Sequence, residues 1–115
     1  MKKLIVSSVL AFITFSAQAA AFQVTSNEIK TGEQLTTSHV FSGFGCEGGN
    51  TSPSLTWSGA PECTKSFAVT VYDPDAPTGS GWWHWTVANI PATVTYLPAD
   101  AGRRDGTKLP TGAVQ

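Results

Sequence analysis

No stretch of this sequence repeats apolar residues at 3.6 spacing for long enough to make a helix, and no internal repeat is present. Those absences leave an all-β chain as the fold class that the pattern supports. Basic charge is scarce. Beyond the first few residues there are only Lys30, Lys65, Arg103, Arg104 and Lys108, against eight acidic residues, a net charge of about −3 for that part. Nucleic-acid binding needs clustered Lys and Arg to replace counterions, so the composition does not support it. Arg103-Arg104, the single basic doublet, reads as two solvated charges. There are two cysteines, Cys46 and Cys63. An oxidising compartment permits a disulfide between them, but bridging needs Cα atoms within about 7 Å, which spacing does not reveal, and free thiols stay open. No Gly-x-Ser-x-Gly elbow or Cys/His arrangement places a nucleophile beside a base, so an enzyme is not expected.

What is present begins at the N-terminus. Lys2 and Lys3 lead an apolar run from Leu4 to Phe15, followed by Ala17-Gln18-Ala19. A positive start, a short apolar core and a small-x-small site are the parts of a secretory signal peptide. Ala19-Ala20-Ala21 offers a second cleavage site. The run is well short of the ~20 residues a spanning helix needs, so no stable membrane anchor is expected after cleavage. The short, Lys-led form points to a bacterial protein exported to the periplasm. This reading divides the chain into a signal peptide, residues 1–21, and one domain, residues 22–115.

Within that domain, Phe22 to Thr25, Leu55 to Trp57, Phe67 to Tyr72, Trp85 to Ile90 and Thr93 to Leu97 read as strands, with Ser38 to Phe41 a weaker one. Gly, Pro, Ser and Asn punctuate them at the short intervals that a sandwich or barrel requires. Ser42 to Pro53 is rich in glycine (Gly43, Gly45, Gly48, Gly49) and suits a crossover between sheets. Asn50 and Ser52 can fix a turn by bonding nearby backbone, with Leu55 and Trp57 on one strand face. His39 is expected on a strand surface or edge without a partner. Ala99 to Gln115 is polar and Gly/Pro-bearing, and reads as a loop without a closing strand.

The chemistry concentrates between Phe67 and Ile90. If the two strand-like runs pair as an antiparallel hairpin, Asp73, Asp75 and His84 meet at one rim, walled by the indoles of Trp82, Trp83 and Trp85. In Asp73-Pro74-Asp75-Ala76-Pro77 each proline fixes its own φ and extends the residue before it, so the loop is stiff enough to hold two carboxylates. An Asp accepting from one imidazole nitrogen sets the tautomer and leaves the other nitrogen to face a ligand. A neighbouring carboxylate also favours the imidazolium, a cation suited to an anion. A metal site at Asp73, Asp75 and His84 lacks a fourth ligand. The structural alternative is that both Asp residues only cap a turn while the tryptophans fill core.

Asp73-Pro74-Asp75-Ala76-Pro77, followed by Trp83-His84-Trp85 and Val87-Ala88-Asn89-Ile90, resembles the first signature of the phosphatidylethanolamine-binding protein family. The Asn50-x-Ser52-Pro53-x-Leu55-x-Trp57 element is similar to the bacterial Raf-kinase-inhibitor-like branch. The likeness runs from about Phe22 to Gly112, and two separate motifs in the right order make it specific. It implies an antiparallel β-sandwich with a small pocket for phosphate-like anions. On matching positions the resemblance implies a ligand-binding set of Asp73, Asp75, Ala76, Pro77, Trp82 and His84, with no catalytic residue, no metal and no cofactor.

The resemblance also frames the partners. The expected one is a small anionic, phosphate-type ligand. The alternative is a protein target (a protease, a kinase or a host-signalling partner) engaged through surface loops, with a homodimer as a further option. Raf-type kinases themselves are out of reach of a periplasmic protein. The family's second signature, a Gly/Pro-rich segment leading to a His-Arg-Tyr-like strand, has no counterpart up to Gln115. The expectation that follows is an incomplete sandwich carrying one wall of its pocket, with open sheet edges and with Cys46 separated from its natural partner.

Overall fold

The structure, a computed structural model, describes residues 21–115. The signal-peptide reading of residues 1–21 falls almost wholly outside them. Seven strands and one short 3-10 helix follow in order: β1 (Gln23–Thr25), the 3-10 turn (Thr37–His39), β2 (Ser42–Gly43), β3 (Cys46–Glu47), β4 (Leu55–Ser58), β5 (Ser66–Asp73), β6 (Trp82–Pro91) and β7 (Tyr96–Leu97). No α-helix occurs among the described residues. The all-β expectation is met, because the β-branched and aromatic runs that favour a pleated surface are the ones that form strands.

The strands make two facing layers. One is a three-stranded sheet in the order β1-β4-β7, antiparallel throughout; the other is the β5-β6 hairpin, and β2 and β3 form a separate miniature ribbon. The core lies between the layers. Val87 and Ile90 from β6, Leu97 from β7 and Ala101 are 0% exposed, and Trp57 from β4 is 4% exposed. Leu55, Phe67, Val69, Trp85, Val94, Leu109 and Ala113 pack around them. Leu55 and Trp57 point to the same, inward side of β4, as period-2 alternation requires. The Trp57 ring meets Phe67 edge-on with centroids 5.4 Å apart, a favoured aromatic geometry.

Two irregularities in β6 shape everything that follows. Phe67 pairs with Ile90 and Val69 with Val87, so β6 spends one more residue than β5 over that stretch. Asn89 takes up the extra residue with φ 58°, a left-handed conformation that asparagine tolerates better than most. Val87 and Ile90 have opposite parity, and only this bulge lets both reach the core. The second bulge falls between Val71↔Trp85 and Tyr72↔Trp83, which leaves His84 as the unpaired residue of β6.

The region read as a weak strand at Ser38 to Phe41 is instead the 3-10 turn, with Val40 extended after it. The reason is the glycine pair that follows. Gly49 N–H donates to Thr37 O (2.9 Å) and Thr51 N–H to Ser38 O (2.9 Å), folding this segment onto its own turn. A Cβ on Gly48 would collide with the Val40 carbonyl and one on Gly49 with Ser38 backbone, so no side chain fits there. His39 is half-buried with a partner, its Nδ1 2.7 Å from Thr51 O, and it does not stand unpartnered on a strand. Cys46 lies in β3 and Cys63 in the turn before β5; both are exposed free thiols, and no disulfide joins them.

Ala99–Gln115 forms successive turns, and these are fastened to the sandwich. Ala101 is buried, Leu109 and Ala113 reach the core edge, and Ala88 exchanges two backbone hydrogen bonds with Val114 (2.8 and 3.0 Å). Asn89 Nδ2 donates to Gly112 O (2.7 Å), so the bulge residue also holds this segment. Ser52 does not bond nearby backbone. Its Oγ accepts from Gly102 N–H and its carbonyl from Asp100 N–H, tying together stretches about fifty residues apart.

Candidate functional site

The rim forms where β5 ends and β6 begins. Asp73 pairs with Trp82 in the ladder, and the turn between them is built to return quickly. Tyr72 Oη donates to Ser80 O (2.7 Å), and Gly81 lies against Tyr72 and the Asp73 carbonyl at φ 74°. A Cβ at Gly81 would overlap both, so glycine is required for the hairpin to close this tightly. One Asp73 carboxylate oxygen accepts from Asp75 N–H at 2.9 Å, an Asx turn that orders the proline-bound loop. The other, Oδ2, stands 3.5 Å from His84 Nε2.

His84 reaches Asp73 because of the bulge. A bulge re-aims the side chain of the extra residue, and His84 is that residue. The pair is half-exposed, with 50% of the His84 side chain and 42% of the Asp73 side chain accessible. Its Coulombic contribution is therefore screened, and at 3.5 Å the two side chains approach without a hydrogen bond. Nδ1 makes no hydrogen bond among the described residues, so one face of the imidazole is available to a ligand. On the neighbouring side of the strand, the Tyr72 and Trp83 rings pack in a tilted arrangement with centroids 4.6 Å apart.

Of the six residues expected to form the pocket, the structure brings Asp73 and His84 into contact and hydrogen-bonds Asp75 to Asp73 through its backbone. The carboxylate of Asp75 makes no contact with His84. Ala76 is half-buried in the loop, and Pro77 and Trp82 are exposed. His84 alone of the six lines an open cavity of about 430 Å³, whose other walls are Trp83, Trp85, Thr86, Gly102, Arg104 and Gln115. The cavity runs along β6 on the side where the C-terminal turns dock, away from β5. A second hollow of about 410 Å³ lies against β1, lined by Val24, Thr25, Ser26, Ile29, Lys30, Thr31 and Leu55, and shares no residue with the rim. Among the described residues no three His, Cys, Asp or Glu side chains group closely enough to hold a metal ion.

Sequence reasoning missed the contribution of the C-terminal turns. Trp85 Nε1 donates to Gln115 Oε1 at 2.9 Å, and Gln115 Nε2 donates in turn to the Arg103 carbonyl. That bridge lays the segment carrying Gly102 and Arg104 beside His84. The one legible signal was compositional, a pair of arginines in an otherwise acidic chain, and it carried no hint of direction.

An all-β sandwich with an acid–histidine pair at its rim and an open cavity alongside defines a ligand-binding fold. The chain belongs to the phosphatidylethanolamine-binding protein family, whose model matches residues 25–115. It is similar to UPF0098 protein YbcL of Escherichia coli (strain K12), 95% identical over 115 residues, which is 100% of this chain and 63% of YbcL. UPF0098 protein YbhB of the same organism is 51% identical over 90 residues, 78% of this chain and 56% of YbhB. A UPF0098 protein of Aquifex aeolicus (strain VF5) is 37% identical over 94 residues, 82% of this chain and 52% of the relative. The crystal structure of E. coli YbcL, described as a new member of the mammalian PEBP family, superposes with a TM-score of 0.81 at 95% identity, covering 84% of this chain and 58% of that one. The chain thus spans between 52 and 63% of the length of these curated relatives.

Proposed function

We propose that this chain is a secreted, periplasmic ligand-binding protein whose rim receives a small phosphate-type anion, and that it binds without turnover. The observation that carries this reading is the Asp73–His84 contact at 3.5 Å beside an open cavity. The Asp73 carboxylate stands beside Nε2 and leaves Nδ1 without a partner among the described residues; a protonated ring donating from Nδ1–H to an anion makes a charge-assisted hydrogen bond about twice as strong as a neutral one. Export is supported by the Lys2-Lys3 start, the apolar run and Ala17-Gln18-Ala19. Calorimetric titration with inorganic phosphate tests the site. Binding is expected to fall at least about tenfold in His84→Ala. Absence of binding, or binding indifferent to His84→Ala, overturns the proposal.

One observation favours a second reading, a protein-interaction module. The β2-β3 ribbon carries Phe44 at its tip, 101% exposed and 5.9 Å from the Phe41 ring, a pair of aromatics with no role in the core. An inhibitor or docking protein acting through loops would keep its partner in His84→Ala and lose it in Phe44→Ser.

A further inference from the structure

The C-terminal turns hold three cations close together, Arg103, Arg104 and Lys108, and their surroundings differ. Arg103 contacts Asp100 (3.3 Å) and Asp105 (3.5 Å), and Lys108 contacts Asp100 (3.1 Å). Two carboxylates thus answer two of the charges. Arg104 makes no ion pair among the described residues, and it lines the same cavity as His84. Its backbone is set in place on both sides. Ala101 is fully buried and Gly102 N–H is bonded to Ser52 Oγ (2.9 Å), while Gln115 links the Arg103 carbonyl to the Trp85 indole. Gly102 also lets this segment lie close, since a Cβ there would stand 3.1 Å from the Trp85 ring.

We infer that Arg104 is the second cationic arm of the His84 cavity and makes it selective for dianionic phosphomonoesters that carry a flat or apolar substituent. The inference rests on the anion-binding reading of His84 given above. One imidazolium matches one negative charge. A monoester above its second ionisation, near pH 6, carries close to two. The guanidinium supplies the other charge and can donate to two phosphate oxygens in a planar fork. Neither Asp73 nor Asp75 lines the cavity. Trp83 and Trp85 give the organic part of the ester an apolar wall, with Thr86 and Gln115 as polar neighbours. A phosphodiester, with a single charge, gains only the His84 contact.

Phenyl phosphate and methyl phenyl phosphate, titrated calorimetrically at pH 6.5 in low salt, separate these contributions. The wild-type protein is expected to bind the monoester about tenfold more tightly than the diester. Arg104→Gln is expected to erase that preference while leaving diester affinity within about twofold, and Arg104→Lys to restore part of it. His84→Gln weakens both ligands. Because the Arg104 side chain makes no hydrogen bond among the described residues, Arg104→Gln should melt at the wild-type temperature. A wild-type protein that binds both esters equally, or an Arg104→Gln variant that keeps the preference while His84→Gln loses affinity for both, overturns the role of Arg104 and leaves the His84 reading standing. Binding of neither ester, or binding untouched by His84→Gln, overturns both.

Discussion

Glu28 and Asp73 are both carboxylates near the surface, and they differ in what they accept. Glu28 Oε2 takes hydrogen bonds from Ser54 Oγ (2.6 Å), Ser54 N–H (3.0 Å) and Ser26 Oγ (3.0 Å). These, led by the Ser54 hydroxyl and opposed by partial burial, hold its carboxyl below the usual carboxylate range. A lowered carboxyl contributes stability above its unfolded value and loses it as pH falls through the folded one. Glu28→Gln should therefore flatten the acid limb of a stability–pH curve below about pH 4, measured by denaturant melts, and leave the rest of the curve close to parallel. A variant whose acid limb keeps the wild-type slope would count against that assignment. At the rim, Asp73→Asn should change stability by less than about 1 kcal/mol, since exposed ion pairs contribute little. It should also release the His84 tautomer, read from imidazole nitrogen NMR. The residue types at the rim were legible in the sequence because carboxylates, prolines, histidine and indoles crowd one stretch. The spread of their roles was not, since Asp75 serves through its N–H and its carboxylate stays apart from His84.

At the scale of elements, the existence of β4, β5 and β6 follows from alternation and β-branched content, and the hairpin of β5 and β6 forms as its turn residues require. The bulges in β6 are a different matter. Nothing in the local order of Trp83-His84-Trp85 or Ala88-Asn89-Ile90 marks an extra residue, because a bulge exists only relative to the strand it opposes. Asn89→Val should be destabilising by about 1–3 kcal/mol, since a β-branched residue resists φ 58° and the bond from Asn89 Nδ2 to Gly112 O is lost. Equilibrium urea unfolding measures it, and a neutral effect would mean that the bulge can move. The 3-10 turn at Thr37–His39 shows the same limit. Ser38 to Phe41 has strand-like residues, and the close approach of Gly48 and Gly49 decided otherwise.

At the scale of the whole molecule, few side chains among the described residues are fully buried, with Ile90, Leu97 and Val87 the largest. Each therefore bears a large share of the joint between the two layers. Leu97→Ala, which trims β7's contribution to that joint, should cost about 2–5 kcal/mol, a large fraction of an ordinary domain's stability, and lower the urea midpoint accordingly. A loss under about 1 kcal/mol would show that the layers collapse onto the gap. The C-terminal turns belong to this scale too. They were expected as a loop and contain no full strand, yet Ala101, Leu109 and Ala113 join them to the core and the Ala88–Val114 exchange extends β6. The sequence leaves Cys46 and Cys63 open between a disulfide and free thiols; in the fold, in β3 and in the turn before β5, both are exposed free thiols.

The sequence by itself determined the all-β class, a hairpin between Phe67 and Ile90, the meeting of Asp73 with His84 and the family to which the chain belongs. These rest on local spacing, turn chemistry and short motifs, which act over a few residues and can be read one stretch at a time. Only the tertiary structure decided that His84 occupies a bulge, that Ser52 fastens Gly102, and that Arg104 lines the same cavity as His84. Those outcomes depend on which surfaces pack when two layers close over a shared core, and packing joins residues whose separation along the chain carries no record of it.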